Sequence, residues 1–145
     1  MSDNSLTHFA NEVSKLMPNI LREFLRRQTK EIAQGNISLP QILILDVLKE
    51  RASMRMGELA EYLSVSMAAT TGIADKLVKN AFVIRTGTPR DRRIVNISIT
   101  LKGRKTVNEY NRARQKTIIE IFGSLSSSDR SRYLEILNKI HYRLR

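Results

Sequence analysis

The sequence predicts a mainly α-helical protein with a small β-hairpin, and three observations predict it. Apolar residues recur at three- and four-residue steps along most of the 145 residues, the spacing that gathers them on one helix face. The period switches to two only over 82–86 and 94–100, as in half-buried strands. Two short helical patterns, 57–63 and 67–79, flank a turn at Ser64-Val65-Ser66 just before those strands. Short helices joined by a tight turn and followed by a hairpin outline a winged helix-turn-helix. The length is close to the modal size of one domain and suffices for a core without covalent staples.

Taken in order, residues 5–33 read as one amphipathic helix through Leu6, Phe9, Val13, Leu16, Met17, Ile20 and Phe24. Pro18 falls inside it, which predicts a kink or two abutting helices. Gly35-Asn36 ends it, since both residues tolerate the left-handed conformation. Ser38 caps a second helix with Pro40 in its first turn, running to about Arg51 through Ile42, Leu45 and Leu48. A connection over 52–56 leads into the 57–63 helix. Ser66 is a natural N-cap for the helix from Met67 to about Lys79, whose buried stripe is Ile73 or Thr70 with Leu77 and Ala74. Between the two strands, residues 87–93 form a turn-rich loop with three arginines. Helix 101–123 places Val107, Tyr110, Arg114, Thr117 or Ile118, and Ile121 on one stripe. Ser126-Ser127-Ser128-Asp129 resembles a capping box, and the last helix carries Tyr133, Leu137, Ile140 and Leu144. The chain thus reads as a single domain with a winged helix-turn-helix lobe over 38–103 and helical arms over 1–37 and 104–145.

Composition removes several function classes. Cysteine is absent, which excludes disulfides, thiolate metal sites, Cys nucleophiles and thiol redox sensing. The two histidines, His8 and His141, lie far apart in sequence and argue against a metal centre. They fit interfacial or surface positions better than a catalytic pair. No nucleophile elbow, P-loop or dinucleotide fingerprint occurs. Neither an enzyme nor a cofactor is expected. The first residues lack a signal-peptide pattern and no stretch matches a membrane span, so a cytoplasmic protein without a membrane partner is expected.

The net charge is +11, from 25 basic and 14 acidic residues. More than half of it falls in 81–105, where seven basic residues face only Asp91. So focused an excess predicts a polyanionic partner. Double-stranded DNA fits, because its major groove admits one helix and displays base edges there. A helix starting at Ser66 presents Ser66, Ala68, Ala69, Thr70 and Thr71 near its N-terminus, where small side chains permit close approach and hydroxyls can bond bases or phosphates. The helix end itself favours a phosphate, and Lys76 lies a turn further on. The alternative is that Ala68, Ala69 and Thr70 are merely small packing residues, and the basic wing that follows favours the DNA-facing reading. Arg90, Arg92 and Arg93 suit the negative potential of a narrow minor groove. Asp91 fits better as a partner that fixes an arginine's direction than as a DNA contact, or as a plain turn residue after Pro89. Apolar terminal helices outside the lobe predict a homodimer, which would set two reading helices about 34–36 Å apart on a palindrome.

The tract Gly57-Glu58-Leu59-Ala60, Asp75-Lys76-Leu77, Phe82-Val83-Ile84-Arg85, Asp91-Arg92-Arg93 and Leu101-Lys102-Gly103 closely resembles MarR-type transcriptional regulators, over nearly the whole chain. The resemblance implies a homodimer that binds palindromic operators, usually as a repressor. It also implies that the helix over 67–79 enters the major groove, that Arg93 reaches the minor groove and that Asp91 orients it. Many such proteins release DNA when a small, often phenolic, anion binds between the dimer helices and the DNA-binding lobe. Three positions depart from the pattern. Gly72 stands where a larger polar or basic residue is common and costs the helix about 1 kcal/mol against alanine. Ala81 replaces a helix-ending glycine, so Asn80 is expected to supply the left-handed stop, and Arg55 replaces a capping Ser or Thr. The alternative function is a winged-helix protein-interaction or architectural module that grips DNA without operator specificity.

Overall fold

The computed structural model describes residues 2–32, 37–88 and 91–144, apart from the side chains of 2–3, 28–32, 88 and 91–93. Among the described residues, six helices and three strands follow one another: α1 (Ser2–Ile32), α2 (Leu39–Arg51), β1 (Ser53–Arg55), α3 (Met56–Leu63), α4 (Met67–Lys79), β2 (Val83–Thr88), β3 (Asp91–Ile99), α5 (Leu101–Phe122) and α6 (Ser127–Arg143). The fold class is the predicted one, mainly helical with a winged helix-turn-helix at its centre. The expected helix stop at Gly35-Asn36 lies outside the described residues.

A single helix runs through Pro18, which excludes the two-helix alternative. Proline leaves the carbonyl one turn back without its N–H donor. One residue along, Asn19 Nδ2 donates to the Lys15 carbonyl (3.0 Å). Helix α2 buries residues on several sides, Ile42, Ile44, Leu45, Val47 and Leu48 among them, and so forms the centre of the lobe. Around it pack Leu59 of α3, Ala74 and Leu77 of α4, Val83 and Ile97 of the sheet, and Val107 and Tyr110 of α5. Each large aliphatic side chain removed from water there contributes about 1.5–3 kcal/mol.

The sheet has the order β1-β3-β2, all antiparallel. Strand β1 is a correction to the expected connection over 52–56. Met54 pairs opposite Ile97 and is buried, while Ser53 and Arg55 face out. The hairpin also differs from expectation. Where the turn-rich composition predicts a loop over 87–93, Gly87 and Thr88 belong to β2, and 91–93 to β3. The ladder extends because antiparallel pairing satisfies backbone groups whatever the side chains are. An irregularity between Gly87 and Thr88 takes up the slack.

Both helices of the helix-turn-helix end in a left-handed residue. After α3 that residue is Ser64 (φ 54°), with Val65 N–H bonded to the Ala60 carbonyl (3.2 Å). After α4 it is Ala81 (φ 57°), while Asn80 keeps φ at −87°. Ala81 N–H donates to the Val78 carbonyl and Phe82 N–H to the Leu77 carbonyl, both at 2.9 Å. That bond pattern sets the positive φ one residue past the cap, so Ala81 and not Asn80 supplies the stop. An alanine there carries a steric cost that glycine escapes. Ala81→Gly is therefore expected to raise stability by about 1 kcal/mol, read as a higher midpoint in thermal or urea denaturation. An unchanged or lower midpoint would contradict it.

Candidate nucleic-acid interface

Helix α4 begins where the sequence places it. Ser66 is extended (φ −65°, ψ 156°), and its Oγ accepts the Ala69 N–H at 3.2 Å. That cap satisfies one of the open donors of the first turn and fixes the direction of the helix. Ala68, Ala69, Thr71 and Lys76 are all exposed along α4, as is Gly72 between them. Thr71 donates its hydroxyl to the Met67 carbonyl (2.9 Å) and remains open to solvent.

Thr70 requires a correction as a base-contacting candidate. It is fully buried (0% exposed), in line with Ala74 and Leu77, and its hydroxyl donates to the Ser66 carbonyl at 3.0 Å. Residues four and seven positions apart share a helix face, so the rotation that buries Leu77 takes Thr70 with it. Thr70 holds the start of α4 from inside.

The wing follows directly. Arg85 on β2 reaches back to α4, with its Nη2 2.5 Å from Asp75 Oδ1. This pair neutralises a carboxylate on the exposed side of α4 and ties the helix to the hairpin. The sequence carries no signal for it, because helix and strand periodicities do not report which faces meet. The backbone of Asp91, Arg92 and Arg93 runs in β3. Their side chains, and all of Arg90, lie outside what the structure describes.

The rear of the unit is held by α5. Thr100 caps that helix, its Oγ1 accepting the Gly103 N–H at 3.0 Å. The same hydroxyl lies 2.7 Å from the Ala81 carbonyl and 3.0 Å from that of Phe82, and the Thr100 N–H also donates to the Phe82 carbonyl (3.0 Å). Lys102 Nζ donates to the Asn80 carbonyl (2.8 Å) and sits 4.9 Å from the centre of the Phe82 ring. Three successive carbonyls leaving α4 are thus taken up by the start of α5. Arg55, the departure at the head of α3, offers no acceptor. Glu58 Oε2 instead accepts the Arg55 N–H (2.7 Å) and supplies half of a capping box.

The family model for the MarR family matches residues 37–95, which span α2 through the wing. This chain carries a MarR-family domain. Along its full length it is 26% identical to YsmB of Bacillus subtilis, an uncharacterized HTH-type transcriptional regulator, covering 100% of this chain and 99% of that one. The solved structure of a MarR family protein from Bacillus stearothermophilus superimposes with a TM-score of 0.83 at 25% identity, covering 95% and 96% of the two chains. A cysteine-to-serine mutant of MarR from Escherichia coli, crystallised with operator DNA, shares the fold at 22% identity and a TM-score of 0.73, over 89% and 93%. YpoP of Bacillus subtilis, 25% identical over 92% of this chain and 94% of its own, is likewise named an HTH-type transcriptional regulator.

Proposed function

We propose that the protein is a sequence-specific reader of double-stranded DNA that acts as a homodimer on a palindromic operator. The observation that carries this is the outward face of α4. Its N-terminal half offers Ala68, Ala69, Thr71 and Gly72 on a capped, rigid helix, beside a basic hairpin. Small side chains there let the helix sink toward base edges, and a methyl or hydroxyl can tell thymine from the other bases. Arg90, Arg92 and Arg93 would follow the minor groove with Asp91 as their orienting partner. The Escherichia coli protein of the same fold, crystallised with operator DNA, supports the DNA reading.

The homodimer is supported by α1 and α6. Helix α6 buries none of its residues within the chain, and Leu134, Ile136, Leu137 and Ile140 are exposed. On α1, Leu6, Phe9, Leu16, Met17, Ile20 and Leu21 are exposed as well. A 17-residue helix with an unburied apolar face is marginal in water and gains its stability by packing. Residues 38–103 then serve as the reading lobe, and 1–37 with 104–145 as the dimerisation arms. Repression follows where the operator overlaps a promoter. Release by a small-molecule effector, phenolic or otherwise anionic as the family resemblance implies, completes the scheme.

Selection from a random duplex pool at near-physiological salt tests the DNA reading. The expected product is a two-fold symmetric motif with half-sites about one helical turn apart, preferred over random duplex by at least about 10³-fold. Retention without enrichment would overturn operator specificity in favour of an architectural module.

A further inference from the structure

Gly72 weakens α4, yet no described residue requires a glycine there. Its φ is not positive, and beyond its own turn of helix a Cβ built on it would meet no atom of a described residue within 4 Å. Neither a turn nor close internal packing accounts for it, so its clearance serves something outside the chain. That clearance opens on a groove of about 280 Å³ between the start of α2 and α4, lined by Ser38, Gln41, Ala69, Gly72, Ile73 and Lys76.

Gln41 is the second observation. It is only 4% exposed, and its Oε1 is engaged, accepting the Ser38 N–H at 2.7 Å. Its Nε2 has no partner among the described residues and is not sealed from solvent. A buried amide rarely leaves its donors unused. Across the groove, Lys76 has no acidic partner among the described residues. The first turn of α2 carries no acid and adds the partial positive charge of a helix N-terminus. Two donors and a helix end around an apolar floor suit one compact anion.

We propose that this groove seats one phosphate of the bound duplex, with Gly72 supplying the clearance and Gln41 Nε2 and Lys76 Nζ the donors. The seat rests on the DNA reading above. It adjoins the exposed half of α4, so a strand flanking the major groove passes over it when α4 is inserted. A phosphate held there fixes the depth and rotation of α4 without itself reading sequence.

The test uses the operator recovered from the pool and three proteins, wild type, Gly72→Leu and Gln41→Glu. Leucine fills the clearance and improves helix propensity, so the melting temperature is expected to rise by about 2–4 °C while affinity falls at least about tenfold. A folding defect cannot produce that pair of signs. Glutamate keeps an acceptor for the Ser38 N–H and removes the Nε2 donor, so the fold should persist and affinity fall by more than about tenfold. Replacing operator phosphates one at a time by neutral methylphosphonates locates the seat. Wild type should lose affinity at one position per half-site where Gln41→Glu loses none. Parent-like binding by both variants, or an interference pattern unchanged in Gln41→Glu, overturns the seat and leaves the DNA reading standing. Failure of the wild type to retain any duplex overturns both.

Discussion

Gly103→Val is expected to leave the protein unable to fold. A Cβ added at this position would lie 2.1 Å from the Phe82 carbonyl oxygen and 3.0 Å from its carbon. Neither atom can yield, because that carbonyl already accepts from the N–H and hydroxyl of Thr100. Relief would require α5 to lift off the end of the reading unit. That would expose Val107 and Tyr110 and break the cap at Thr100. The combined cost is more than about 4 kcal/mol, a large part of the usual margin of a domain. Circular dichroism and thermal denaturation check it. A cooperative transition at the parental midpoint would show that the close approach of α5 to Phe82 is wrong. Leu101→Ala, at a neighbouring but exposed residue, should leave the transition nearly unmoved.

The second large effect concerns the arms. Leu137→Asp combined with Ile140→Asp is expected to convert the proposed dimer into a monomer. Both residues are already exposed in the isolated chain, 41% and 49% respectively, so carboxylates there cost a monomer little. In a two-fold interface each appears twice and would be buried without a partner, at several kilocalories per mole each. Light scattering should return two 16.6 kDa chains for the parent at micromolar concentration and one for the variant. Operator affinity should fall by about 10²-fold or more, because the second reading helix no longer binds as a tethered partner. A parent that is already monomeric, or a variant that stays dimeric, would remove α6 from the interface.

Much of the reading unit was legible because its signals are local. Ser66 before an amphipathic stretch marks the start of α4 by its own side chain, and the cap forms as the residue type demands. Met67 and Lys79 bound the helix as expected. Thr70 shows where local signals end, since its face was ambiguous until packing set the rotation of α4. Strand β1 is three residues long, too short to display a period, and exists because β3 offers it a partner. Ala81 adopts a conformation that its side chain disfavours, imposed by the carbonyls around it. The Asp75–Arg85 pair and the Gln41 groove join residues on different elements, and no spacing along the chain encodes them. The side chains of Asp91, Arg92 and Arg93, with all of Arg90, remain sequence-based assignments.

The handclasp between α5 and the carbonyls of Asn80, Ala81 and Phe82 makes a single mechanical part of the long helix and the reading unit. Helix α5 has 22 residues and so extends about 33 Å. A tilt of about 5° about one end would carry the other through about 3 Å, close to the 3.4 Å step between adjacent base pairs. With its near end bonded to the exit of α4, the helix is a lever whose far end lies among the arms. On the proposed DNA reading, an angular change too small to unfold anything would still shift α4 along the duplex by roughly one base pair.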